Sequence, residues 1–300
     1  MLQFTTIGAA IVDIVVSRVH PMRGAKQDVE HIGLYAGGGA VNAALNVASR
    51  GARVTVHACV GQDLEGGLIR DLLQRHGIRA TIPPHHLPTG KAVVMIDDTG
   101  AARAYAQRGA SAWVGEHGFP GLEQADVVYV TGLSLKSQAW LQNALSAISR
   151  RPFRLVVTPG ARQLSDPQAL HGLWDQADLL CVNAQEAAKL LADDTIRTDA
   201  PSPQIAQALA RRLVRRPGQA ILLTLGAAGA VFFDGQASHF HAAQRVEAVS
   251  TIGAGDAFAS AFVHVWAEGA AAQDALAAAT DSAAAIIQRV PANMGGLLRA

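Results

Sequence analysis

Short, near-continuous apolar runs alternate along the chain with longer stretches in which apolar residues recur every three or four positions. The runs TTIG (5–8), RVTVHAC (53–59), DVVYV (126–130), FRLVV (153–157), DLLCV (178–182) and AILLTL (220–225) are rich in β-branched residues and leucine and are short, so they read as strands. Helical spacing occupies 39–50, 64–75, 136–149, 184–191 and 203–215, and long helices are expected over 254–268 and 272–289. The last stretch is alanine-rich, and because alanine is the best helix former it reads as helix rather than linker. Strand–helix repetition with strands apolar on both faces predicts a parallel sheet covered by helices on each side. Two segments, 14–36 and 89–108, depart from that rhythm. Their polar and apolar residues alternate, and Asp97-Asp98-Thr99-Gly100 supplies a turn. They predict a small β lid inserted into a single domain spanning 1–300.

Composition narrows the function. Half of the 300 residues are hydrophobic, 16% are charged and the net charge is +1, so a large core is available and no long basic run exists to track a phosphate backbone. Arg211-Arg212 and Arg215-Arg216 fall at helical spacing and read as a solvated helix face, which leaves nucleic acid a poor partner. Cys59 and Cys181 each end an apolar run and read as buried, reduced thiols. The apolar N-terminus lacks a basic segment and is interrupted by Asp13, and no window reaches the roughly 18 apolar residues of a membrane span. A reduced cytoplasm is the expected location.

The sharpest chemical signal is Ser250-Thr251-Ile252-Gly253-Ala254-Gly255-Asp256, ahead of the helical AFASAFVHVWAEG. A turn of small residues feeding a helix leaves N–H groups free for an anion, and a carboxylate in the first helical turn can serve as general base beside it. An ordinary glycine-rich turn, with Asp256 as an N-terminal helix charge, accounts for the pattern equally well on physics alone. Gly37-Gly38-Gly39-Ala40-Val41-Asn42 opens another helix, where glycines admit a small polar ligand and Asn42 offers donor and acceptor, or where the turn is merely structural. Asp63, in VGQDLEG, reads as a helix cap. Asn183 and Glu186 follow a strand end as N-x-x-E, fit either to reach a hydrated Mg²⁺ or to form a capping box. Thr224-x-Gly226-x-x-Gly229 ends another strand, and Asp13 closes the first apolar run, where it could accept sugar hydroxyls or form a turn.

In combination and order these signals resemble ribokinase-like (PfkB-type) carbohydrate kinases, over about residues 5–289. The resemblance implies an α/β fold, a doubly wound, mostly parallel sheet of about nine strands flanked by helices, with a small β lid over the sugar. It implies Asp256 as catalytic base and the amides of Gly253, Ala254 and Gly255 as an anion hole. Asp13, Gly38, Gly39 and Asn42 would bind the substrate. Thr224, Gly226, Gly229 and Asn183 would serve the nucleotide, with Asp281 where a residue often borders the adenine. Glu186 and Asn183 would organise Mg²⁺, through water.

Three departures qualify the resemblance. Ser250 stands where the family motif usually has Asp, which puts K⁺ activation in doubt. Gly39 stands where ribokinases proper carry Lys, so ribose is less favoured. Asp281-Ser282 stands where Asn or His is common, so ATP preference is inferred. The expected activity is ATP-dependent phosphorylation of a hydroxyl on a small sugar or sugar derivative; the alternative is a nucleoside kinase acting on pseudouridine or another ribonucleoside. Many such kinases pair through their lids and others are lidded monomers, so a homodimer is one of two open expectations. Lys91, Arg103, Arg108 and His31 lie in the lid segments and could meet an acidic or phosphorylated acceptor or simply be solvated.

Overall fold

The computed structural model describes residues 1–17, 28–97, 102–193, 196, 202–247 and 249–289. The chain opens with β1 (Gln3–Ile7), two further strands, β2 (Ile11–Ser17) and β3 (His31–Gly37), and helix α1 (Gly39–Ala48). Next come β4 (Arg53–His57), β5 (Val60–Gly61), α2 (Leu64–Arg75), β6 (Arg79–Thr81) and β7 (Pro84–His85). A second pair, β8 (Gly90–Ile96) and β9 (Ala102–Gln107), precedes β10 (Val127–Val130), α3 (Leu135–Ser146) and β11 (Arg154–Val157). Helices α4 (Ala161–Leu164) and α5 (Pro167–Gln176) lead to β12 (Leu179–Asn183), α6 (Ala184–Leu190) and α7 (Pro203–Leu213). The remainder is β13 (Ala220–Thr224), β14 (Ala230–Phe233), β15 (Ser238–His241), α8 (Ala254–Ala267) and α9 (Ala272–Ile287).

The main sheet has nine strands in the order β15-β14-β13-β12-β11-β10-β1-β4-β6. Every pairing from β12–β13 through β4–β6 is parallel, and β14 alone runs against the others, pairing antiparallel with both β13 and the edge strand β15. Its strands read as unbroken apolar runs because both faces are covered. One face packs Leu45, Ile69, Leu73, Phe258, Phe262 and Leu276 from α1, α2, α8 and α9. The other packs side chains of α3, α5, α6 and α7, among them Leu141, Leu173, Trp174 and Leu209. Chain order reverses at β1, which lies between β10 and β4. In an open α/β sheet the crevice at the carboxyl ends beside such a reversal is where ligand groups gather.

Strands β2, β3, β8 and β9 form a separate four-stranded sheet in the order β3-β2-β8-β9. The lid expected over 14–36 and 89–108 thus begins earlier, at Ile11, and Asp13 lies inside a lid strand rather than at the end of the first core strand. Residues 18–27 and 98–101, which include most of the D-D-T-G turn, fall outside the described residues. The lid is tied to the body through Asp63, which caps α2 by accepting from Gly66 N at 3.0 Å and also accepts from Thr89 N at 2.7 Å, one residue before β8. The sequence reading of Asp63 as a cap is therefore the observed one.

Candidate active site

Two parallel helices bring the central groups together. α1 begins where β3 ends, and Gly38 precedes it at φ 88°, with its α-carbon against the Ala9 carbonyl where no side chain fits. Gly39 packs on Thr131: a β-carbon there would lie 2.7 Å from that of Thr131. This close approach is the local reason that the position holds no larger residue. α8 begins after Gly253, in the left-handed conformation at φ 74°, with no side chain capping its amides. Ala254 N makes a long turn bond to Thr251 O (3.3 Å). Across the helix pair, Asn42 Nδ2 donates to Asp256 Oδ2 at 2.8 Å. Burial holds the Asp256 carboxyl above the usual carboxylate range, and the Asn42 bond opposes that rise.

The lid contributes a second acid. Asp13 sits in β2 opposite Tyr35 of β3 and Ala92 of β8, and its carboxylate fills the space over Gly37. Its pKa is pushed up to about 7, first by burial and then by the Asp256 charge, so the two acids feel each other across the site. Strand alternation puts Ile11, Val15, Tyr35, Ala92, Val94 and Ile96 on the same inner face, where they form one apolar cluster that Ile252 of the α8 entry loop joins. His31 Nε2 and Tyr35 Oη are 3.0 Å apart on that face. Lys91 and Arg103 belong to the opposite face by register, and Lys91 pairs with Glu65 at 2.5 Å. Of the four basic lid residues considered for an acidic acceptor, only His31 lies on the inner face of the sheet. Arg108 follows β9, and its carbonyl accepts from Ser111 Oγ at 2.7 Å.

On the other side of the crevice, Asn183 and Glu186 form a reciprocal capping box. Asn183 N donates to Glu186 Oε2 and Glu186 N donates to Asn183 Oδ1, both at 2.9 Å. Burial raises the Glu186 pKa, and the nearby Asp256 charge adds to the rise. Asn183 is the direct neighbour of Thr224 across β12 and β13, so these two strand ends converge. Gly226 is exposed, with open space where a side chain would be, whereas Gly229 packs its backbone against the His241 carbonyl. Asp281 lies exposed on α9 and its charge acts on Arg50, while the preceding Thr280 Oγ1 meets His241 Nδ1 at 3.3 Å. Ser250 is buried: its Oγ accepts from Ile252 N at 3.2 Å and its N–H donates to Ile287 O at 3.1 Å.

Among the described residues no group of three or more His, Cys, Asp or Glu is placed to cage a metal. A hydrated Mg²⁺ needs only one or two carboxylates besides substrate phosphates. The partly buried Glu186, whose carboxylate and that of Asp256 repel each other, fits that smaller requirement.

A helix N-terminus without a side-chain cap, an acid held beside it and a lid over both are the parts of a phosphoryl-transfer site. The model of the pfkB family carbohydrate kinases matches residues 1–295. The chain belongs to the pfkB family. It is accordingly an ATP-dependent phosphotransferase of the sugar and nucleoside kinase class. The ribokinase of Schizosaccharomyces pombe is 26% identical over 305 residues, covering 96% of this chain and 93% of that relative. The aminoimidazole riboside kinase of Salmonella typhimurium is 25% identical over 233 residues, covering 74% and 70%. Among solved structures, Cryptococcus neoformans ribokinase in complex with ADP superposes with a TM-score of 0.82 at 22% identity, over 97% of this chain and 96% of that one. Adenosine kinase from Sinorhizobium meliloti superposes with a TM-score of 0.78 at 20% identity, over 98% and 96%.

Tyr35 and the Ile252 contact with the lid went unread in the sequence. The signal for Tyr35 was present, because His31-x-Gly33-x-Tyr35-x-Gly37 alternates with period two. Nothing in the local pattern of Ile252 points to the lid.

Proposed function

We propose that this kinase transfers the γ-phosphoryl group of ATP to a hydroxyl of a small sugar or sugar derivative, with Asp256 as general base. The observation that carries this reading is the Asn42–Asp256 hydrogen bond at the N-terminus of α8, which has no side-chain cap. Asn42 occupies Oδ2, and Oδ1 takes the acceptor's proton as the hydroxyl oxygen attacks the γ-phosphorus and the bond to the β–γ bridging oxygen breaks, releasing ADP. The amides of Gly253, Ala254 and Gly255, at the positive end of the helix, take up charge on the transferring phosphoryl oxygens. Asp13, Gly38, Gly39 and Asn42 orient the acceptor beneath the lid. Thr224, Gly226, Gly229, Asn183 and Asp281 serve the nucleotide. Glu186 and Asn183 would hold Mg²⁺ through water, and the ion would supply charge neutralisation at the phosphates when bound.

The inner lid face favours a second reading. Val15, Tyr35, Ala92, Val94 and Ile96 offer an apolar wall rather than rows of hydroxyl partners. Such a wall suits an acceptor that carries a flat ring, as in a ribonucleoside such as pseudouridine.

The test is nucleotide consumption by the purified protein against free sugars, sugar acids, sugar phosphates and nucleosides, with Asp256→Asn in parallel. The variant is expected to bind ATP while kcat falls by at least ~10²-fold, the scale of general-base catalysis. Turnover at the wild-type rate in that variant would remove Asp256 from the mechanism.

A homodimer through the lid belongs to the same proposal. Ile32, Leu34, Val93 and Tyr105 lie on the outer lid face and are 62%, 46%, 39% and 66% exposed, a grouping of large apolar side chains unusual for a solvated surface. The two cysteines are buried free thiols, which supports a reducing compartment such as the cytoplasm. Among the described residues no helix is long and apolar enough to cross a membrane.

A further inference from the structure

The buried seam between α1 and α8 is polar where it could be apolar. Asn42 and Asn46, one turn apart on α1, face Asp256 and Ser260, one turn apart on α8, with the same sequence separation of 214 residues. The two helices therefore run parallel and in register, both starting at the site. Asn46 Nδ2 donates to Ser260 Oγ at 3.4 Å, and Ser260 Oγ donates to the backbone carbonyl of Asp256 at 2.6 Å. Asp256 is thus held twice from α1: its carboxylate directly by Asn42, and its main chain through the relay Asn46–Ser260. Asn46 and Ser260 are 1% and 0% exposed, so neither makes use of water.

This arrangement costs stability. Asn46 Oδ1 is buried without a hydrogen-bond partner among the described residues. A buried acceptor left unpaired forfeits its hydration for nothing, and an apolar pair of similar volume would pack at least as well. A polar pair in a helix seam does something an apolar pair does not: it fixes register, because a slip leaves both partners unbonded. Loss of register here would displace the carboxylate of Asp256 from the hydroxyl it deprotonates, and small misplacements of a base are costly in rate.

We propose that Asn46, acting through Ser260, is a positioning residue for Asp256, retained for the alignment of the base rather than for the stability of the fold. This inference rests on the reading of Asp256 as general base.

The test uses the full chain with Asn46→Leu and Ser260→Ala, assayed with the best acceptor from the panel above. In Asn46→Leu kcat is expected to fall about 10-fold while the KM values for ATP and acceptor stay within a factor of about two, the signature of an interaction realised in the transition state. Tm is expected to be unchanged or higher, since the orphaned carbonyl is gone. Ser260→Ala, a smaller change that serves equally if the leucine variant does not fold, is expected to lower kcat in the same way. The acidic limb of the kcat–pH profile is expected to move to higher pH in both, because a base less well held by Asn42 loses the bond that favours its ionised form. The other ionisable groups whose charges couple to Asp256, namely Asp13 of β2, Tyr129 of β10 and Glu186 of α6, are left in place by both substitutions.

Wild-type kcat and pH profile in either folded variant would overturn the proposal. So would a loss of kcat that merely follows a loss of Tm. Failure of the base assignment is distinguishable, since Asp256→Asn would then remain active whatever Asn46→Leu does.

Discussion

Asp13 shows how a single buried acid links the site to stability. Its pKa in the folded protein is about 7, well above the 3.8 of an exposed carboxyl, because burial and the Asp256 charge both disfavour ionisation. The folded state therefore binds this proton more tightly than the unfolded state. The resulting stability is fully present below about pH 4 and is lost as pH rises through about 7. Asp13→Asn should escape that loss. Its Tm relative to wild type is expected to rise between pH 4.5 and 7.5 by roughly 2–6 °C and to level off above that, read by thermal denaturation across a pH series. A difference that does not vary with pH would show that Asp13 ionises in the ordinary range. Ser250 raises a separate question at the same scale. Its hydroxyl is already used by Ile252 N and brings only a dipole where a carboxylate would bring a full charge to a monovalent cation. The expected result is an initial rate that is nearly the same with KCl as with tetramethylammonium chloride at matched ionic strength. Activation by K⁺ of about 10-fold or more would instead assign that site to backbone carbonyls.

At the scale of elements, the entries to α1 and α8 do the work, and each depends on a residue that tolerates an unusual backbone. Gly38 shows the clearer constraint, since a β-carbon would sit 2.8 Å from the Ala9 carbonyl carbon in a conformation that L-residues rarely adopt. Gly38→Ala is expected to destabilise the fold by about 1–3 kcal/mol and to lower kcat as well, since the turn sets where Asn42 meets Asp256. Denaturant unfolding and kinetics on the same preparation test both effects, and a stable, fully active variant would contradict them. Elements with strong periodicity or marked ends were legible before the structure: α2, α7, α8 and α9 all match the expected stretches to within two residues. Others were not. β15 is half-buried at every position and carries no alternation, so no period announces a strand. Helix α5 went unread although Asp166 caps it and Pro167 begins it, which is a genuine start signal.

For the whole molecule, the lid presents one face to the site and an apolar face to the outside. If copies pair through the outer face, Leu34→Lys should convert a dimer into a monomer by light scattering and leave the Tm of the monomer within about 2 °C, since Leu34 is half-exposed and packs little of the core. A wild-type protein that stays monomeric at tens of micromolar would remove pairing from the account. The family and the main architecture were already legible in the order of Gly8…Asp13, G-G-G-A-V-N, N-x-x-E, T-x-G and G-A-G-D. All of these except Asp13 mark a strand end or helix start, where local backbone chemistry restricts the residue types. Likewise the buried strands could be read because burial on both faces demands unbroken apolar runs. What local pattern could not convey is which distant groups meet. That Asn42 bonds Asp256, that Asp13 lies buried inside a lid strand, and that Lys91 lies on the lid face opposite Asp13 all depend on strand register and helix packing between segments as much as 214 residues apart. Those pairings arise only when α1 and α8 pack together on one face of the main sheet and the lid strands pair with one another.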